Sequence, residues 1–245
     1  MTLPATKIIQ NFDDAASGYD RQALMQAAAA EHLVGMAQCP TSPHTILDIG
    51  SGTGFVAKAA ADRWPLATIT ALDNAPEMLR LARHKVPHLK VITADAQDLD
   101  TTVHYDMIFS SMMLHWMPNP RGLLQHWQKA LKPDGKLYVA LLVDGSFQEW
   151  RTLCLSQNIE DGLWPMPAQD MARGLAIRSE EETLKVPFAS AYAFLKRLKD
   201  TGAATARQEH KPVNTASMRQ LLQAAPKPFG VTYKILYLEL SSGKV

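Results

Sequence analysis

Residues 46–55 read ILDIGSGTGF. Three apolar β-formers surround one acid, Asp48, and glycines then fill alternate positions, Gly50, Gly52 and Gly54. Glycine is selected where the chain turns through positive φ, or where something approaches the backbone too closely to leave room for a Cβ. The next residues, "GFVAKAAADRW", read as a helix, whose first free N–H groups add a ligand-binding end to the turn. A strand, a bare turn and a helix in immediate succession belong to a doubly wound α/β fold, where the loop after the first strand faces the ligand crevice.

The rest of the chain supplies that fold. After "TILDIG" come the strands "ATITALD", "LKVITAD", "YDMIFSSMM" and "GKLYVALL", separated by the amphipathic stretches "APEMLRLARHKV" and "PRGLLQHWQKAL". Strands that alternate with helices pair in parallel through right-handed crossovers. "ETLKVPF" and "GVTYKILYLELS" add two more strands, which predicts a Rossmann-like, mostly parallel seven-stranded sheet. In "LKPDGKLYVALL", Pro-Asp-Gly reads as a turn that stops one helix and starts the next strand. The first 40 residues read as two helical pieces broken at Gly18. "GSFQEWRTLCLSQNI", "PAQDMARGLAI", "SAYAFLKRLKDTGA" and "TASMRQLLQAA" read as helices. The expected organisation is one domain over 1–245, with a helical lid over 146–225 at the carboxyl ends of the strands.

Composition narrows the class. Hydrophobic residues make up 47% and charged residues 20% of the chain, the balance of a folded globule, and no tract is long and apolar enough to span a bilayer. The start, "MTLPATKIIQNFDD", lacks the charged and apolar regions of a secretory signal, so a cytoplasmic protein without a membrane partner is expected. Cys39 and Cys154 have no Cys or His at ligand spacing, which predicts two reduced thiols and no metal. The net charge of +1 is unevenly spread: from Lys185 onward there are ten Lys or Arg against three acids. A total so near zero argues against nucleic acid.

Spacing and charge identify the ligand class. A dinucleotide fingerprint needs its third glycine at position 55, which is Phe. A pyrophosphate would also be repelled by Asp48, whereas a sulfonium or ammonium group would be attracted. With Asp48, Gly50, Ser51, Gly52 and Gly54 in this arrangement, the sequence resembles the class I S-adenosylmethionine-dependent methyltransferases. A single acid at a strand end is most often a helix cap. Acids in register after successive parallel strands make a ligand set.

That resemblance implies roles for the strand ends. Asp73 closes the second strand, where a carboxylate accepts both ribose hydroxyls. Asn74 and Met78 would flank the adenine. Asp95 would hold the adenine amino group, with Ala96 offering a backbone donor. Ser110, Ser111 and Met112 end the fourth strand and would lie beside the methionine part of the cofactor, whose product is S-adenosylhomocysteine. Asp98 and Asp106 read as turn or edge residues.

The flanks carry a finer resemblance. "IIQNFDDAASGYDRQ", "SSMMLHWMPNP", "LLVDGSFQEW", "FLKRLKDTGA" and "FGVTYKILYLEL" are similar to the malonyl-carrier-protein O-methyltransferases of biotin synthesis, from about Ile8 to Leu240. The resemblance implies methyl transfer to the free carboxylate of malonyl carrier protein or malonyl-CoA. It implies an N-terminal helix closing over the cofactor, with Phe12 and Tyr19 seven apart on one face. Tyr19 is the candidate for a substrate-side hydrogen bond, His115 an orienting group and Trp116 a pocket wall. Lys196 stands where an Arg is common, giving up two-point contact with a carboxylate. Lys196, Arg197, Lys199, Arg207 and Lys211 are candidates to steer an acidic carrier protein. A quinone ring carbon or a free dicarboxylate as acceptor stays open, as does a non-catalytic cofactor-binding role.

Overall fold

A computed structural model describes residues 3–38, 41–204 and 213–242. It forms one seven-stranded sheet in the order β3-β2-β1-β4-β5-β7-β6. β1 (Thr45–Ile49), β2 (Thr68–Asp73), β3 (Lys90–Thr93), β4 (Tyr105–Ser111) and β5 (Leu131–Leu142) run parallel. β6 (Arg178–Phe188) and β7 (Phe229–Ser241) complete the sheet in antiparallel pairing. The apolar residues of β1 are fully buried, as a central strand covered on both faces requires. Strand order reverses between β1 and β4, so the crevice opens at the end of the glycine-bearing strand. Among the described residues, no helix is long and apolar enough to cross a membrane.

The helices cover both faces. α2 (Leu24–Met36), α3 (Phe55–Arg63), α4 (Pro76–Lys85), α6 (Gln148–Ser156), α7 (Ala191–Asp200) and α8 (Thr215–Ala224) contribute to one apolar cluster. α5 (Pro120–Gln128) contributes Leu123, Leu124 and Trp127 to the other. α1 (Leu3–Gln22) packs Ala16 with Phe12 and Tyr19 against Met78 of α4.

Three local expectations are corrected. Gly18 lies inside α1, and the break falls instead at Ala23, whose φ of −93° and ψ of 40° leave the helical region. A mid-helix glycine costs about 1 kcal/mol relative to alanine, which the packing of Ala16 and Tyr19 offsets. "PAQDMARGLAI" is no helix. Pro165 and Pro167 lack N–H donors and Gly174 has a φ of +78°, so 168–176 closes only isolated turns, with Arg121 capping the Met171 and Arg173 carbonyls. Pro-Asp-Gly starts no strand either. α5 has already ended at Gln128, and 133–135 forms a bulge within β5, whose pairing jumps from Leu131 to Lys136 while β4 advances from Tyr105 to Met107. The 146–225 region thus holds β6 as well as three helices.

Asp106, expected to be a mere edge residue, ties the sheet together. Its Oδ2 accepts from the backbone N–H of His44 and Thr45 at 3.0 and 2.8 Å, and from Lys132 Nζ at 3.0 Å. Partial burial opposes ionisation, but the Lys132 and Thr45 donors prevail and hold its carboxyl at about 2. Asp106→Asn is expected to cost on the order of 1–3 kcal/mol, read as a lower urea midpoint at unchanged m-value. Because the folded pKa is depressed, this contribution is complete above the ordinary carboxylate range and is lost as pH falls towards 2.

Candidate active site

The turn after β1 is shaped by its glycines. The Gly50 and Ser51 N–H groups donate to the Leu72 carbonyl at 2.8 and 3.1 Å, fastening the turn to the end of β2. Gly54, at φ +86°, starts α3, and a Cβ there would lie 2.9 Å from that of Ala82 on α4. Gly52, at φ +53°, differs: a Cβ there would meet nothing within 4 Å, so the bare backbone faces open space. The Gly52 N–H donates to Asp73 Oδ2 at 2.8 Å, and the Ala75 N–H to Asp73 Oδ1 at 2.9 Å. Each Asp73 oxygen keeps a lone pair for another donor.

Asp48, Gly50, Ser51, Gly52, Asp73 and Asn74 line one cavity at this crevice. Met78, Ala96 and Ser111 bound it as well. Its charged lining residues are both acids. Asp48 is 1% exposed and neither oxygen has a hydrogen-bond partner among the described residues. Burial, then the charge of Asp73, pushes its carboxyl up to about 8, while the Ala57 N–H pulls the other way without a full hydrogen bond. Burial likewise raises Asp73, against the N–H groups of Ala75 and Gly52. The Ser51, Ser110 and Ser111 hydroxyls are also buried and unpartnered. One buried acid and three buried hydroxyls without partners among the described residues, beside a second acid with lone pairs to spare and open backbone, fit a cationic, hydroxyl-bearing ligand such as S-adenosylmethionine.

Two expected cofactor residues are placed elsewhere. Gly54 serves the packing of α3 on α4 and does not line the cavity. Asp95 is a helix cap: its Oδ1 accepts from the Gln97 N–H at 2.9 Å, and the flanking Ala94 and Ala96 line the cavity in its place.

A second cavity, of about 450 Å³, adjoins the first. The two share Phe12, Tyr19, Gln26, Met112 and Trp116. Phe12 meets Trp116 edge-on at 5.8 Å between ring centroids, and Trp116 meets Trp164 at 6.3 Å. Tyr19 sits 6.3 Å from Phe55, and burial, then Asp73 and Asp20, raises its phenol so that it remains a donor. His115 lines the second cavity, with burial depressing its pKa to about 3. Its Nδ1 accepts from the Leu142 N–H at 3.4 Å, which leaves the single proton of the neutral ring on Nε2.

The basic candidates separate. Arg197 lines the second cavity. Lys196 lines neither cavity and pairs with Asp200 at 2.5 Å on the exposed side of α7. Lys199 is exposed and also lines neither. Arg207 and Lys211 lie outside the described residues, as does Cys39. Gln26, Met113 and Trp164 escaped the sequence reading, since none belongs to a local pattern and each arrives through tertiary packing.

α1 roofs the first cavity with Ile8, Phe12 and Tyr19. Asp20 accepts from Thr53 Oγ1 at 2.6 Å and pairs with Lys85 at 2.8 Å, while Asp13 accepts from the Glu77 N–H at 2.8 Å. Gly202 passes so close beneath α1 that a Cβ would approach the Phe12 backbone to 2.8 Å.

Binding of a cation favours ionised Asp48. S-adenosylmethionine affinity, measured by calorimetry, is therefore expected to rise several-fold as pH increases through about 8, with a proton released on binding below that pH. Asp48→Asn should flatten this dependence. Asp73→Ala should weaken binding more than tenfold, since charge-assisted hydrogen bonds contribute about 1.5–3 kcal/mol each. Unchanged calorimetric affinity would remove Asp73 from the site.

A family profile described as a methyltransferase domain matches residues 47–139. The chain is 35% identical over 246 residues to the biotin biosynthesis bifunctional protein BioCD of Bordetella avium. That alignment covers 96% of this chain and 52% of the relative, so the chain spans about half its length. It is 30% identical to the malonyl-acyl-carrier-protein O-methyltransferase of Magnetococcus marinus, over 94% of this chain and 90% of that one. Among solved structures, the YcgJ protein of Bacillus subtilis shares the fold at a TM-score of 0.60 and 16% identity, covering 89% of this chain and 99% of that chain. With a relative aligned to it nearly end to end on both sides, the chain belongs to the malonyl-acyl-carrier-protein O-methyltransferase family.

Proposed function

We propose that the protein methylates the free carboxylate of a malonyl thioester, carried on an acyl carrier protein or on coenzyme A, for biotin synthesis. The observation that carries this reading is the pair of adjoining cavities: among the described residues, the charged lining of one is Asp48 and Asp73 and that of the other is Arg197. A cationic donor suits the first and an anionic acceptor the second. When bound, S-adenosylmethionine supplies a methyl group made electrophilic by its sulfonium. Asp73 would hold the ribose hydroxyls, Met78 and Ala96 the adenine, and Asp48 with Ser111 the amino-acid end.

The chain's own residues have little proton chemistry to perform. A malonyl carboxylate is ionised at neutral pH, so nothing has to remove a proton from it. A His115 ring that stays neutral agrees with that economy: it can donate through Nε2 and orient an oxygen, but it is a poor base. Tyr19, on the shared wall, offers a second donor. Transfer from a sulfonium to a carboxylate removes one charge of each sign, so the aromatic wall of Phe12, Trp116 and Trp164 assists by keeping water out. The basic excess after Lys185, including exposed Lys199, supports an acidic carrier as the partner.

The test is incubation with methyl-labelled S-adenosylmethionine and, separately, malonyl carrier protein, malonyl-CoA, a free dicarboxylate and a quinone precursor. Label is expected in a base-labile methyl ester of the malonyl thioester. Label on a free dicarboxylate or quinone alone, or on no acceptor, would overturn the proposal.

A further inference from the structure

We infer that Arg197 is the specificity-determining residue that distinguishes the free carboxylate of the acceptor from its methylated product. The inference rests on the proposed function and deepens it. α7 turns two cations to different fates one residue apart. Lys196, at the position where the family pattern has Arg, is directed to Asp200 on the exposed side. Arg197 falls near the line of Phe194, Leu198 and Thr201 and reaches the second cavity. Its Nη1 donates to the Gln22 carbonyl at 2.7 Å, at the joint between α1 and α2, and its guanidinium lies 5.9 Å from the Phe188 ring.

Those contacts fix the side chain but use only one of five N–H donors. No carboxylate lies within ion-pair distance of Arg197 among the described residues, although it faces a cavity walled by Leu142, Phe147, Leu163, Leu184 and Val186. An unpaired guanidinium held beside apolar space is prepared for an anion from outside the chain. Tyr233 lines the same cavity; burial pushes its phenol up to about 12 and the Arg197 charge acts in the opposite sense, which places the two groups within electrostatic reach.

One carboxylate oxygen held by Arg197 leaves the other free to attack the methyl carbon. The new O–CH3 bond forms as the S–CH3 bond breaks, and no proton moves. The ester has lost the charge that Arg197 recognised, so the product binds more weakly than the substrate. An acyl thioester without a terminal carboxylate is rejected at the same point.

The experiment compares wild type, Arg197→Lys and Arg197→Gln for S-adenosylmethionine binding, for KM and kcat with malonyl-CoA, and for affinity for malonyl-CoA against its methyl ester. Wild type should prefer the free acid at least tenfold. Arg197→Gln should raise KM at least tenfold with a smaller change in kcat, keep cofactor affinity, and bring the acid-to-ester preference close to one. Arg197→Lys should fall between. Were Arg197 only a prop for the α1–α2 joint, acid and ester affinities would fall together and the preference would persist, which overturns the inference. A wild type that turns over malonyl-CoA but binds acid and ester equally also overturns it, whether or not the variants fold. A wild type that methylates no malonyl thioester overturns the functional proposal as well.

Discussion

Two carboxylates at the ends of neighbouring parallel strands, Asp48 fully buried and Asp73 half-buried, set the terms for the whole site. Asp48 lies near the end of β1 and Asp73 closes β2, and among the described residues neither has an ion-pair partner. Burial first, and then the charge of Asp73, raises the Asp48 carboxyl. The protein keeps Asp73 in place through two backbone N–H donors, one from the glycine turn and one from the start of α4. It leaves Asp48 with none. The free energy that folding withholds from Asp48 is available to a bound cation, so cofactor affinity and local instability come from the same residue.

Such a site works only where water is scarce, and α1 provides the cover. A 20-residue helix packed on α4 and α7 is anchored by Asp13 and Asp20, which accept from the Glu77 N–H at the start of α4 and from Thr53 Oγ1 of the glycine turn. Its break at Ala23 leaves the Gln22 carbonyl free, and Arg197 takes it. The roof of the donor cavity and the cation of the acceptor cavity are thereby joined through one hydrogen bond.

What the sequence made legible was what neighbouring residues decide together. The glycine spacing, the strand-end acids and the alternation of strands and helices are local patterns, and the crevice follows from them by topology. Positions decided by distant packing were not legible. Gly18 looks like a helix breaker until Ala16 and Tyr19 are seen against Met78. Asp95 has the spacing of a ligand contact but caps its own turn. Lys196 and Arg197 are equivalent in a charge count, and only the rotation of α7, set by burial of Phe194 and Leu198, separates the surface cation from the cavity one. Trp164 reaches the pocket from a segment with no regular period, so no pattern announced it.

The placement of the chain's own charges also bears on turnover. If the first cavity takes the donor and the second the acceptor, as proposed, the fixed field of the acids and the guanidinium would attract each reactant to its own cavity. The same field would hold an ion pair apart if it were strong enough to dominate, which would slow transfer. Phe12, Tyr19 and Trp116 line both cavities, so on the proposed function their packing would set how closely methyl and oxygen approach. On the proposed function, transfer removes the acceptor charge that Arg197 would meet and the sulfonium charge of the donor, while the ammonium and ribose hydroxyls assigned to Asp48 and Asp73 stay on the cofactor product. On that proposal, weaker binding of the methylated acceptor would follow from the same residue that binds the free acid, and would require no separate device.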